Sequence, residues 1–217
     1  MLTMETLLLA LNLMGTVAFA ISGAMTGIRK RMDILGVLIL GMVTAVGGGM
    51  TRDLILGIHP PMAFRNPLYA LTALGVSALV FVVLYFHMKG YERISGPRFQ
   101  YLLGLADAVG LGLFTVVGVQ TAVDAGWGQN LFVAVFLGTI TGVGGGLLRD
   151  IMASDQPFIF VKHIYACASI GGALLCALLW NPAGQQAAML TGAAAVVLVR
   201  VLAAHYRWNL PRVDWQS

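Results

Sequence analysis

Two stretches of this chain place ionisable side chains directly behind a glycine triplet. Gly47-Gly48-Gly49 is followed by Arg52-Asp53, and Gly144-Gly145-Gly146 by Arg149-Asp150. Neighbouring guanidinium and carboxylate groups can form ion pairs, bind an ion or a zwitterion, or move as charges in a membrane field. Both motifs lie in apolar runs long enough to cross a bilayer. Each ionised group then costs about 2.5–3.5 kcal/mol at the bilayer centre, and four uncompensated charges roughly 10 kcal/mol. They must be paired, hydrated or both. Adjacent helical residues project about 100° apart, so an Arg does not face the next Asp well. The expected pairs therefore cross between the motifs, Arg52 with Asp150 and Arg149 with Asp53. Two compatible roles follow: an ion-pair cluster pinning two halves together, or the lining and gate of a permeation path.

The triplets carry their own expectation. Each mid-helix glycine costs about 1 kcal/mol relative to alanine, so the helices are expected to bend or break at 47–49 and 144–146. A break frees carbonyls and N–H groups, which hydrocarbon tolerates only inside protein or along a watery cavity. Close helix packing is the other use of such glycines; the tandem Arg-Asp favours the break. Thr44 and Thr141 each precede a triplet by three residues. Their hydroxyls can face a hydrated ion or bond back to their own helix. Asn12 and Asp107 occupy equivalent places in a repeat, with Asp107 expected near a span end in a structural role. Ser22 and Gln120 are weaker pore-facing candidates.

The elements that must position these residues are membrane helices. Of 217 residues, 59% are hydrophobic and 10% charged, and mean hydropathy is +0.85. Soluble domains carry about 25% charge, so the solvent is lipid. The apolar runs are long and do not alternate, which excludes a β-barrel. Seven spans are predicted, at about 4–27, 34–57, 67–88, 99–121, 130–153, 163–180 and 186–206. No Lys or Arg precedes Arg29, so the first span is read as a retained helix rather than a signal peptide.

The segment around Gly15, Phe19 and Gly23 realigns with Gly110, Phe114 and Gly118 at an offset of 95, and the glycine motif recurs at 97. Each unit holds three spans, an odd number, so the second copy is inverted. The expected organisation is residues 1–95, an inverted unit 96–182, and a seventh helix with a tail at 183–217. Inverted repeats of this kind are a transporter and channel architecture.

With seven spans, Arg29, Lys30, Arg31, Lys89, Arg93, Arg98, Lys162, Arg207 and Arg212 share one face, and Arg65 stands on the other. The positive-inside rule then places the N-terminus outside and the C-terminus in the cytoplasm. The same placement explains the net charge of +4 as topology, with no nucleic-acid partner. Cys167 and Cys176 share one apolar span and read as core residues. No metal motif, cofactor signature or catalytic constellation is present in the sequence, which speaks against an enzyme.

The duplicated Gly-Gly-Gly-x-x-Arg-Asp, the basic-to-tyrosine step behind it (Arg65 to Tyr69, Lys162 to Tyr165) and the 3+3+1 layout resemble bacterial relatives of trimeric intracellular cation (TRIC) channels, a group also described as having tandem glycine-transporter domains. The resemblance spans about residues 5–206. It implies a homotrimer in a bacterial inner membrane, in contact with membrane lipid. Each protomer would pass K⁺ or Na⁺ between its repeats at Gly47–Gly49 and Gly144–Gly146. The Lys-Glu-Val lipid motif of the animal channels is absent here. A transporter of a small zwitterion such as glycine remains the alternative.

Overall fold

A computed structural model of the chain describes residues 3–87, 96–161 and 164–208. The described residues form an all-helical bundle with seven long apolar helices: α1 (Met4–Arg29), α2 (Ile34–Ile55), α3 (Leu68–His87), α4 (Pro97–Ala122), α5 (Leu131–Met152), α6 (Tyr165–Leu179) and α7 (Gln185–Tyr206). Six are long and apolar enough to cross a membrane, while α6 is a shorter apolar helix of 15 residues. One-turn helices, Met62–Arg65 and Phe158–Val161, follow α2 and α5.

Local chemistry sets the helix ends. The Asp33 carboxylate accepts from the Gly36 N–H at 2.7 Å, and the Asn130 side chain accepts from the Val133 N–H at 3.2 Å. These short polar residues cap the helices that carry the two motifs. Pro97 opens α4, where its missing N–H costs nothing. After α4 the chain turns at Val123–Trp127 with Gly126 at φ 86°, a conformation glycine adopts without a Cβ clash.

Helix α4 is the most enclosed of the bundle and α3 the least. Leu71, Leu79, Tyr85 and Phe86 of α3 point outward, which lipid rewards as a core would. The central layer is α1, α2, α4 and α5, with α1 packed on α2 and α4, and α5 on α2 and α4. Helix α7 closes the bundle against α4 and α6.

Neither motif helix breaks at its glycines: α2 and α5 run as α-helix through residues 47–49 and 144–146. The expected break is corrected here, and the reason is close approach. A Cβ on Gly48 would overlap the Thr141 carbonyl, and a Cβ on Gly145 would overlap that of Thr44. Residue 44 thus meets 145 while 48 meets 141, so the two helices cross running in opposite directions.

Helices α1 and α4 cross in the same sense. A Cβ on Gly15 would stand 3.0 Å from the Phe114 ring, and one on Gly110 would overlap the Phe19 ring.

At one end of the bundle Asp155 accepts from Arg29 at 2.6 Å and lies 2.5 Å from Lys30 Nζ. The first and fifth connections therefore share a face. Lys89, Arg93, Lys162 and Arg212 lie outside the described residues.

Candidate functional site

The four motif charges pair within their own motifs. Arg52 donates to Asp53 Oδ1 from Nε at 2.9 Å and from Nη2 at 2.7 Å. Arg149 Nε donates to Asp150 Oδ1 at 2.8 Å. The expected cross-repeat pairs, Arg52 with Asp150 and Arg149 with Asp53, do not form. Because α2 and α5 cross antiparallel at Gly48 and Gly145, the charged ends of the motifs diverge. Each Arg sits about six residues beyond the centre of the crossing in opposite directions, roughly 18 Å apart along the axes at 1.5 Å per residue.

The second carboxylate oxygen explains why the Asp directly follows the Arg. Asp53 Oδ2 accepts the Met62 N–H at 2.8 Å, and Asp150 Oδ2 accepts the Phe158 N–H at 2.8 Å. Each Asp caps the one-turn helix that follows it and presents its other oxygen to a guanidinium folded back along the helix. The arginine stem is long enough to overcome the angular offset between neighbours.

The two sites differ beyond that shared frame. Arg149 is fully buried, and its Nη1 donates to Asp107 Oδ1 and Ser22 Oγ, both at 2.5 Å. Its guanidinium lies over the Phe158 ring at 4.8 Å, and that of Arg200 over Tyr165 at 4.7 Å. A carboxylate on α4 and a hydroxyl on α1 thus hold one guanidinium at the junction of the halves. Asp107 is itself fully buried, ten residues inside α4, rather than near a solvated span end. Arg52 has no such cage. At the places equivalent to Asp107 and Ser22 stand Asn12 and Val117, and the Asn12 amide donates to the Leu8 carbonyl at 2.9 Å.

Arg52 instead borders a cavity of about 500 Å³ that also takes in Glu5, Asn12, Asp53, Tyr69, Gln120 and Asp124. Three carboxylates (Glu5, Asp53 and Asp124) face one guanidinium (Arg52) there, a formal balance of two negative charges. Gln120 Nε2 donates to Asp124 Oδ1 at 2.6 Å, while its Oε1 is buried with no partner among the described residues. Gly49, Phe114 and Thr141 also line the cavity.

The remaining sequence candidates are mostly packing elements. Thr44 donates to the Leu40 carbonyl and Thr141 to that of Leu137, both at 2.6 Å. A Cβ on Gly23 would come within 2.5 Å of Thr44 Oγ1, and one on Gly118 within 2.6 Å of Thr141 Oγ1. Gly47 packs on Leu148, Gly144 on Gly48, and Gly146 under the Tyr165 hydroxyl, whereas Gly49 faces open space towards Arg52. Sequence reasoning missed Glu5, Asp124, Tyr165, Arg200 and the Phe19–Phe114 pair. The basic-to-tyrosine step was the available signal for Tyr165, and the offset of 95 for the two phenylalanines.

A family model described as a glycine transporter matches the chain twice, over residues 9–85 and 104–181. The UPF0126 inner membrane protein YadS of Escherichia coli strain K12 is 36% identical over 203 residues, covering 93% of each chain. The solved TRIC trimeric intracellular cation channel orthologue from Rhodobacter sphaeroides superposes with a TM-score of 0.83 at 33% identity, covering 94% of this chain and all of that one. A prokaryotic TRIC channel solved in 0.5 M KCl gives a TM-score of 0.84 at 31% identity, covering 95% of this chain and all of that one.

Proposed function

The chain belongs to the bacterial membrane-protein family matched by the glycine-transporter model and related to TRIC channels, and from that membership we propose that it is a monovalent cation channel with one pore per protomer. The observation that carries the reading is the vestibule: three carboxylates against one guanidinium lining a cavity that reaches the crossing of α2 and α5. A low-dielectric cleft lined by one sign of charge concentrates the opposite ion. An unpaired arginine on the path would repel a cation. Arg149 is neutralised by Asp107 and Asp150 away from the cavity, and Arg52 is outnumbered within it.

The permeant ions are K⁺ or Na⁺, and the assembly is a homotrimer, as the solved orthologue is described. The chain is organised as residues 1–95, an inverted unit 96–182, and 183–217. The reciprocal crossings of α1 with α4 and of α2 with α5 support the inversion. The N-terminus faces outward and the C-terminus the cytoplasm, which the shared face of Arg29, Lys30 and Asp155 supports. The vestibule then opens on the outer side.

A second reading, transport of a zwitterion such as glycine, draws on the presence of both charge signs in one small cavity. It is weakened by the continuity of α2 and α5, since half-helix N-termini are what would hold a substrate carboxylate. Purified protein in proteoliposomes, assayed in parallel for K⁺ flux and for saturable uptake of labelled glycine, decides between them. K⁺ flux without glycine uptake is expected; saturable glycine uptake without K⁺ flux would reverse the assignment.

A further inference from the structure

A pathway through this protein has to connect two polar layers. The outer one is the vestibule, which Phe114 and Thr141 help to line. The inner one is built on Ser22, Asp107 and Arg149. In that layer Asp107 Oδ2 and the Tyr165 hydroxyl are buried with no hydrogen-bond partner among the described residues. Buried polar atoms left without a partner are places where water belongs. Helix periodicity puts both layers on one stripe. Along α1 it runs Asn12, Thr16, Phe19, Ser22 in steps of three or four, and on α4 Phe114 and Asp107 stand seven residues apart, again on one face.

Between the layers stand the rings of Phe19 and Phe114, centroids 5.3 Å apart and planes at 52°. Phe19 is fully buried, and Phe114 is 8% exposed and lines the vestibule. Each ring lies over a glycine of the opposite helix, Phe114 on Gly15 and Phe19 on Gly110. A glycine bed presents no side chain to lock a ring in place. An apolar constriction of this kind closes a pore by excluding water rather than by blocking it permanently.

We propose that the Phe19–Phe114 pair is the closed gate of the pathway, an aromatic plug one helical turn thick between two polar layers. This rests on the cation-pathway reading above. Opening is a displacement of the Phe114 ring off Gly15, which joins the vestibule to the Ser22–Asp107 layer.

The test is K⁺ recording from the reconstituted full chain, comparing wild type with Phe114→Leu, Phe114→Ala and Phe114→Trp, each checked for a monodisperse folded state. Open occupancy is expected to rise as side-chain volume falls, to about tenfold for Phe114→Ala if the open form of the wild type is a minor state, and to drop for Phe114→Trp. If Phe114→Ala does not fold, Phe114→Leu still reads the effect, since it keeps an apolar side chain over Gly15. Wild-type current that is indifferent to residue 114 in folded variants overturns the plug alone. No K⁺ current from wild type or any variant overturns the cation pathway, and the plug with it.

Discussion

The same five-letter pattern makes two unlike sites. At Arg149 the guanidinium is sealed in protein and shared among Asp150, Asp107 and Ser22. At Arg52 it is held by Asp53 and has a cavity beside it. Both Asp residues do the same local job, capping the one-turn helix ahead, so the motif itself is a structural device for ending a membrane helix. What separates the sites is contributed by other helices: Asp107 against Asn12, and Ser22 against Val117. Duplication supplied the frame, and divergence at two positions turned one copy into a fastener and left the other facing water.

Removing the fastener has the largest effect. Arg149→Ala leaves Asp107 and Asp150 buried without their cation, and breaking a buried pair in this way costs about 3–5 kcal/mol. Thermal unfolding in detergent is expected to show a severe loss of folded protein, whereas Arg52→Ala, whose carboxylate partner borders a cavity, melts close to wild type. Equal losses would erase the distinction between the sites.

The glycines sharpen it at the next level. Gly145→Ala drives a methyl into the Thr44 carbonyl, an overpacking worth about 1–3 kcal/mol. Gly146→Ala meets the Tyr165 hydroxyl at 2.7 Å, while its counterpart Gly49→Ala meets nothing closer than Arg52 Nη2 at 3.7 Å. The order of destabilisation in chemical melts is expected to be Gly145, then Gly146, with Gly49 neutral.

A third experiment converts one site into the other. Asn12→Asp with Val117→Ser supplies the partners that hold Arg149, and is expected to immobilise Arg52 and lower K⁺ flux while raising the melting temperature modestly. The smallest effect belongs to the rim. Asp124→Asn removes one of three vestibule carboxylates; K⁺ conductance is expected to fall at low ionic strength and to converge on wild type at high salt, where screening removes the benefit.

How much of this was legible in the sequence depends on range. Hydropathy located the six long helices, and the shorter apolar α6 with them, because lipid imposes composition and length on a span. The offset of 95 marked Gly15 and Phe19 as the equivalents of Gly110 and Phe114, but not that each ring packs on the other's glycine. The pairing of Arg52 with Asp53 was not legible, because it depends on Asp53 reaching the Met62 N–H nine residues ahead, a loop geometry that helix angles do not contain. The triplets were read as bends or breaks because propensity counts their cost within one helix, while close packing against a neighbour's carbonyl lets the helix run on without a break. Asp107 was undervalued for a similar reason: its partner Arg149 is 42 residues away. Phe19 and Phe114 are apolar residues in apolar spans, and composition gives such residues no functional mark.

The most direct test is the K⁺ current of Arg52→Gln in reconstituted protein. The substitution keeps a hydrogen-bond donor for Asp53 and removes the one positive charge among the named vestibule groups. The account predicts a folded protein whose K⁺ conductance at low salt exceeds wild type. A folded variant with unchanged conductance would contradict it, because Arg52 would then lie off the ion's path and the two copies of the motif would both be fasteners.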